Sequence, residues 1–321
     1  MIHVCRICRN SELNIVWVVQ EMMFGYRDKF SYFECANCGC LQIEEFPPNL
    51  EKYYPRQYYS FSTPVVSNAP SVRLHLKRAR MDYILNHTNI LGRFVTMLWG
   101  TPPMLSRVAR ADVGPNKRVL DVGCGSGELL LALAEHGYMH LTGVDPYIEE
   151  DVRYSNGVTI LKRRLEELTE QYDFIMLNHS FEHLWDPFAT LKQLHRLLSP
   201  NCLLLIRIPT VNSFAWRKYR ENWVQLDAPR HLYLHSKRSM ELLAGQSGFK
   251  LREVEYDSWG IQFWGSEQYV RDVPLMDPRS RAIDKKSPLF TAEELIRFDQ
   301  QSLELNRRGD GDQAAFYFVR V

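Results

Sequence analysis

Three observations predict an α/β fold with a mainly parallel sheet. From residue 117 onward, short apolar runs alternate with helical ones. A glycine-rich loop follows the first run, and a second run ends in aspartate about two dozen positions later. Strands that alternate with helices pair in parallel, because each helix carries the chain back across the sheet.

The elements follow in order. RVLDVG is a short apolar strand, GELLLALAEHG a helix ended by Gly137, and LTGVD a second strand. VTILKRRLEEL is a short strand running into a turn, DFIMLN a strand, and PFATLKQLHRLL a helix stopped at Ser199-Pro200. CLLLIRIP is the fifth strand of the series. SMELLAGQSGF is a helix with Ser236 or Ser239 near its N-cap, and KLREVEY and AAFYFVRV are the last strands. RRGDGDQ, before the final strand, reads as a tight hairpin turn. Upstream, SVRLHLKRARMDYIL carries a rough amphipathic stripe, read as a helix packing on its neighbours. Pro102-Pro103 and Gly114-Pro115 interrupt the chain between that helix and the first strand. The expected division is therefore residues 1–48, a helical connector over 49–113, and an α/β domain over 114–321. Stretches 210–236 and 258–290 are insertions on its substrate side.

Composition narrows the function. Of 321 residues, 45% are hydrophobic and 24% charged, which is ordinary for a globular chain with a real core. A net charge of +1 supplies no strong field toward nucleic acid. No apolar run is long enough to span a bilayer, and MIHVCRICRN has no secretory core, so a cytoplasmic location is expected.

VLDVGCGSGELL is the strongest chemical signal. Gly123, Gly125 and Gly127 let the backbone turn tightly and approach a ligand, and the next helix offers unpaired N–H groups. Asp121 stands two positions before the first glycine. A carboxylate there repels a pyrophosphate but suits an ammonium, which points to S-adenosylmethionine (SAM). Asp145, ending the second strand, is placed to accept hydrogen bonds from both ribose hydroxyls.

With these residues in register, the stretch resembles the class I SAM-dependent methyltransferases, and DFIMLNHSFEHLWDP strengthens the likeness. The resemblance covers roughly residues 117–260. It implies a Rossmann-like sheet of seven strands, one antiparallel. It places Asn178 and His179 at the methionine end of the cofactor and Arg164-Leu165 beside the adenine. Glu182 and His183 open the following loop and are read as structural.

Five of seven cysteines lie in the first 40 residues. Cys5-x2-Cys8 and Cys35-x2-Cys38 form two knuckles whose thiolates suit a tetrahedral zinc ion, and Cys40 is left over. Such a small zone has little core, so the metal would supply its folding energy. Residues 41–51 are acidic and lack basic–aromatic interleaving, which argues against RNA. A zinc ribbon, then the tyrosine-rich EKYYPRQYYSF, then the α/β domain resembles the order in methyltransferases of deoxysugar and surface-polysaccharide pathways.

The loop from Thr210 to Ser236 leaves the carboxyl end of the fifth strand, where α/β sheets bind ligands. Trp223, Arg230 and Tyr233 are candidate substrate-binding residues there. DSWGIQFWGSEQYVRDVPL is the expected second wall of that site. Sugar C-methyltransferases carry a Glu-His pair at the position matched by Arg230-His231. Arginine in place of glutamate favours methyl transfer to oxygen, with His231 as base or as positioning group and His179 as the competing base. His235 precedes the helix cap and is read as structural.

The expected function is thus O-methylation of a nucleotide sugar or nascent glycan by SAM, with structural zinc and a small-molecule or glycan partner. RNA or small-metabolite methylation, and a zinc-ribbon interaction module on a degenerate fold, are the alternatives. The sequence does not determine the oligomeric state.

Overall fold

The computed structural model describes residues 3–55 and 70–321. The tyrosine-rich segment lies outside them from Arg56 onward. The strands are β1 (Ile15–Gln20), β2 (Lys29–Glu34), β3 (Leu41–Ile43), β4 (Arg118–Val122), β5 (His140–Val144), β6 (Val152–Arg153), β7 (Thr159–Leu161), β8 (Tyr172–Asn178), β9 (Leu198–Pro209), β10 (Tyr233–Leu234), β11 (Phe249–Tyr256) and β12 (Gln313–Arg320). The α-helices are α1 (Ser71–Asn86), α2 (Ile90–Trp99), α3 (Pro103–Arg110), α4 (Glu128–Glu135), α5 (Pro187–Leu197), α6 (Phe214–Tyr219), α7 (Lys237–Gln246), α8 (Ile261–Val270) and α9 (Ala292–Arg307).

Packing divides the chain into two compact units. The first comprises the described residues of Met1–Pro55, Phe181–Phe188 and Arg207–Phe316. The second comprises those of Arg56–Ser180, Ala189–Ile206 and Tyr317–Val321. This partition differs from the one drawn from motifs, because residues 3–55 pack in one unit with much of the carboxyl-terminal half.

The α/β sheet has the strand order β11-β12-β9-β8-β4-β5-β7-β6. That makes eight strands among the described residues, where seven were expected. The extra one is the two-residue β6, which pairs antiparallel with β7 through Val152↔Ile160. β4 is parallel to both β5 and β8, with Asp121 opposite Gly143 on one side and Met176 on the other. Val119, Leu120, Phe174, Ile175 and Leu177 are buried, as central parallel strands covered on both faces must be. Leu130 and Leu133 of α4 are buried too, and this packing positions the helix N-terminus beside the glycine loop.

In the first unit a small sheet runs β1-β2-β3-β10. β1, β2 and β3 are antiparallel neighbours, and β10 adds an antiparallel edge through Tyr233↔Gln42. Stretch 257–275, expected to be a substrate wall, holds α8. Gln262, Phe263, Ser266 and Gln268 of that helix are fully buried. Phe263 stacks on Phe298 of α9 at 5.4 Å, and Gln262 Nε2 donates to Ser302 Oγ at 2.9 Å. The helix face is spent on internal packing. RRGDGDQ is a turn, but it joins α9 to β12 and closes no hairpin.

Candidate functional site

The glycine loop in the second unit is built by close approach. Gly123 has φ +72°, and a Cβ there would lie 2.5 Å from the Ser180 Cβ. Gly127, at φ +83°, N-caps α4, and a Cβ would meet Ile160 Cδ1 at 2.5 Å. Any side chain at either position therefore meets both a steric and a conformational penalty. Ser180 Oγ donates to the Val122 carbonyl at 2.7 Å, tying the end of β8 to the end of β4.

Two carboxylates flank this loop. Asp145 accepts from the Gly125 N–H at 3.0 Å and from the Tyr147 N–H at 2.9 Å. Each oxygen thus takes one backbone donor and keeps lone-pair capacity for a ribose hydroxyl. Burial raises its pKa, and the same two N–H groups oppose the rise. Burial pushes Asp121 up to about 8; the Asn178 side chain opposes this and Asp145 adds to it. A carboxylate so poorly solvated is a fitting counter-charge for an ammonium, so the residues present fit SAM. Asn178 ends β8 and His179 follows it, with φ +51°. Leu165 is buried, and its carbonyl accepts from Gln193 Nε2 at 3.2 Å. Arg164 is exposed.

A pH dependence follows from Asp121. Its folded pKa lies above the unfolded value of roughly 3.9, so between about 4 and 8 the folded state holds more protons than the unfolded one. Through this group, stability without ligand falls as pH rises across that window. A bound ammonium offsets the cost of the deprotonated form. The rise in melting temperature given by SAM should therefore grow from pH 5 to pH 8, and Asp121→Asn should flatten the trend. Scanning calorimetry with and without SAM measures both.

The two cysteine knuckles converge in the first unit. Cys5 and Cys38 Sγ are 3.6 Å apart, Cys8 and Cys35 Sγ are 3.5 Å apart, and all four sulfurs lie within 4.8 Å of one another. Zinc–sulfur bonds of about 2.3 Å give tetrahedral edges of roughly 3.8 Å, so the donor set fits zinc. The Gln42 Nε2 and Ile7 N–H groups donate to Cys5 Sγ at 3.1 and 3.4 Å, an outer layer that favours thiolate. Cys40 is buried beyond this set, 3.9 Å from His235 Nδ1.

Stretch 210–236 holds the three residues expected to contact substrate, Trp223, Arg230 and Tyr233. Arg230 is fully buried, and its fork is engaged. Nη2 bonds Glu21 Oε1 at 2.8 Å and Asp227 Oδ1 at 2.6 Å. Nε bonds Asp227, and Nη1 bonds the Tyr53 carbonyl at 3.1 Å. It braces the loop and presents no clamp to a diphosphate. Trp223 is fully buried, with Nε1 on Asp312 Oδ2 at 2.9 Å. Tyr233 is buried in β10, its hydroxyl donating to the Trp185 carbonyl at 3.3 Å. None of the three offers a ring or a charge to a ligand.

His231 is held differently. Its Nδ1 lies 2.8 Å from the Gln225 carbonyl, which can only accept, so Nδ1 donates there and Nε2 is the ring nitrogen left for other contacts. Nε2 lies 3.9 Å from both Glu182 Oε1 and Asp227 Oδ2. His183 packs edge-on at 4.8 Å, with Nδ1 donating to the Arg230 carbonyl at 2.8 Å. Burial lowers its pKa, and His231 adds to this. Glu182, His183 and His231 thus form one cluster, two of whose members the sequence reading set aside as structural. The adjacent Glu-His pair was the available signal. His235 is fully buried, and burial lowers its pKa to about 3. The next residue, Ser236, caps α7 by accepting from the Ser239 N–H.

Comparison with known proteins adds likenesses in sequence and fold to this geometry. The model of a family described as a methyltransferase domain matches residues 102–254. The chain is 33% identical over 95 residues to the ubiquinone biosynthesis O-methyltransferase of Pseudomonas syringae pv. tomato, which covers 26% of this chain and 40% of that protein. The protein of the same name from Pseudomonas aeruginosa is 32% identical over 95 residues, with the same coverage of each chain. The chain thus spans less than half the length of these curated relatives. A putative sarcosine dimethylglycine methyltransferase from Galdieria sulphuraria superposes with a TM-score of 0.44 at 15% identity, over 72% of this chain and 88% of that one.

Proposed function

We propose that this protein, which carries a methyltransferase domain over residues 102–254, transfers the methyl group of SAM to a hydroxyl oxygen of a sugar, as a nucleotide sugar or a nascent glycan. The observation that carries the cofactor is the pair of buried carboxylates, Asp121 and Asp145, beside a glycine loop that leaves no room for a side chain at Gly123 or Gly127. The name of the curated relatives, an O-methyltransferase, supports oxygen as the acceptor atom. The sugar rests on the order of cysteine knuckles, tyrosine-rich segment and α/β domain. Zinc in the four-cysteine site is structural in this reading. No helix among the described residues is long and apolar enough to cross a membrane, and a cytoplasmic site of action belongs to the proposal.

Methyl transfer to oxygen needs an in-line approach and a group to take the hydroxyl proton. His231 is our assignment for that base. Its Nδ1 is fixed on a carbonyl and its Nε2 faces two carboxylates. His179 is the competing base. A small-metabolite acceptor is the second reading, favoured by the name of the curated relatives.

The acceptor test incubates the protein with SAM and a panel of nucleotide sugars, phenolic metabolites and tRNA, with methylated products read by mass spectrometry. A methylated sugar is expected, and a product on the phenols or tRNA alone would replace the sugar assignment. The same assay on His231→Ala should show turnover reduced about a hundredfold or more with SAM affinity intact. Full turnover in that variant, with loss in His179→Ala, would move the base to His179.

A further inference from the structure

α2 is apolar on both sides. Gly92 and Val95 face inward, and Gly92 lets the helix approach α1 so closely that a Cβ would lie 2.0 Å from the Ala79 carbonyl oxygen. The outward side is apolar as well: Ile90, Leu91, Phe94, Met97 and Leu98 are all exposed, Met97 at 73% and Leu98 at 81%. Their spacing of i, i+1, i+4, i+7 and i+8 sets them on one continuous stripe. Soluble chains rarely expose such a stripe unless something covers it.

The charge around it identifies the cover. No acidic residue occurs between Asp82 and Asp112. Of the seven lysines and arginines in residues 70–113, Arg80 and Arg107 are buried and Lys77 pairs with Glu135, which leaves Arg73, Arg78, Arg93 and Arg110 at the surface. Arg93 sits three and four residues from Ile90 and Met97, at the edge of the stripe, while Arg78 of α1 lies beside Gly137. A second copy of the chain would bring this basic rim against itself, since an isologous contact pairs each patch with its own equivalent. An anionic surface meets both features at once. At ten residues, α2 is far short of the roughly 20 a spanning helix needs, so it can lie only along such a surface.

We propose that the α1–α2 hairpin seats this protein on an anionic lipid bilayer, with the outer stripe of α2 among the headgroups and arginines at the phosphates. The inference stands apart from methyl transfer, and its test needs no turnover.

The purified full chain is sedimented with phosphatidylcholine vesicles and with vesicles that also contain phosphatidylglycerol. Binding to the mixed vesicles, reversed by salt, is expected. The double variant Met97→Ser/Leu98→Ser, at two exposed positions, should lower partitioning about tenfold or more. Circular dichroism should be unchanged, and Arg93→Gln should weaken binding to the mixed vesicles alone. No binding to the mixed vesicles, or equal binding to neutral ones, would overturn the proposal. So would a dimer in solution that the double variant converts to monomer without any vesicle binding, since a second copy would then cover the stripe.

Discussion

Asp145→Ala should weaken SAM binding at least about a hundredfold, because hydrogen bonds to a charged acceptor contribute roughly 1.5–3 kcal/mol each and two are lost together. The variant also leaves the Gly125 and Tyr147 N–H groups without their acceptor, so the glycine loop loses its anchor. Asp145→Asn separates the effects. The amide keeps one acceptor oxygen but gives up the charge, and should fall between alanine and wild type. Isothermal calorimetry reads all three. Unchanged affinity in the alanine variant would remove Asp145 from the cofactor site and leave the glycine loop as a plain turn.

Cys35→Ser should cost the protein its zinc and the order of residues 3–43. Structural zinc supplies about 10–16 kcal/mol of apparent binding energy in zinc-finger peptides, and that energy is folding energy. Ile15, Val16 and Val18 of β1 are exposed, so that strand adds little apolar burial of its own. Zinc by elemental mass spectrometry should drop from about one per chain to near none, and limited proteolysis should begin within the first 43 residues. Cys40→Ser is the control, since its sulfur lies outside the four-cysteine group. A metal-free chain that stays folded and protease-resistant would refute the zinc assignment.

What the sequence revealed were features whose signal is local. The β4–loop–α4 unit shows in twelve consecutive residues, because the strand, the three glycines and the helix start are all short-range choices. The knuckles show because each C-x-x-C turn is self-contained, although only the fold brings the two pairs to 3.5 Å. The misreadings arose where a partner is distant. Arg230 looked available for a ligand because Glu21, 209 positions away, cannot be seen beside it. Tyr233 lies in a two-residue strand defined only by its pairing with β3. Glu182 and His183 are separated from His231 by nearly fifty residues, so neither segment announces the cluster. One miss had a readable signal. Thr291 and Glu294 form a capping box at the start of α9, and T-A-E-E before an amphipathic run carries that signature. The aromatic content of the stretch before it drew attention to ligand contacts and away from helix packing.

The central claim is that the loop between β4 and α4 holds SAM for methyl transfer to oxygen. The most direct measurement follows SAM carrying an isotopically labelled methyl group, incubated with the purified chain and a hydroxylated sugar acceptor. Label is expected on an acceptor oxygen, with one S-adenosylhomocysteine per methyl transferred, and Asp145→Ala should lower both at limiting SAM. SAM that neither binds nor turns over in the presence of the acceptors would contradict it.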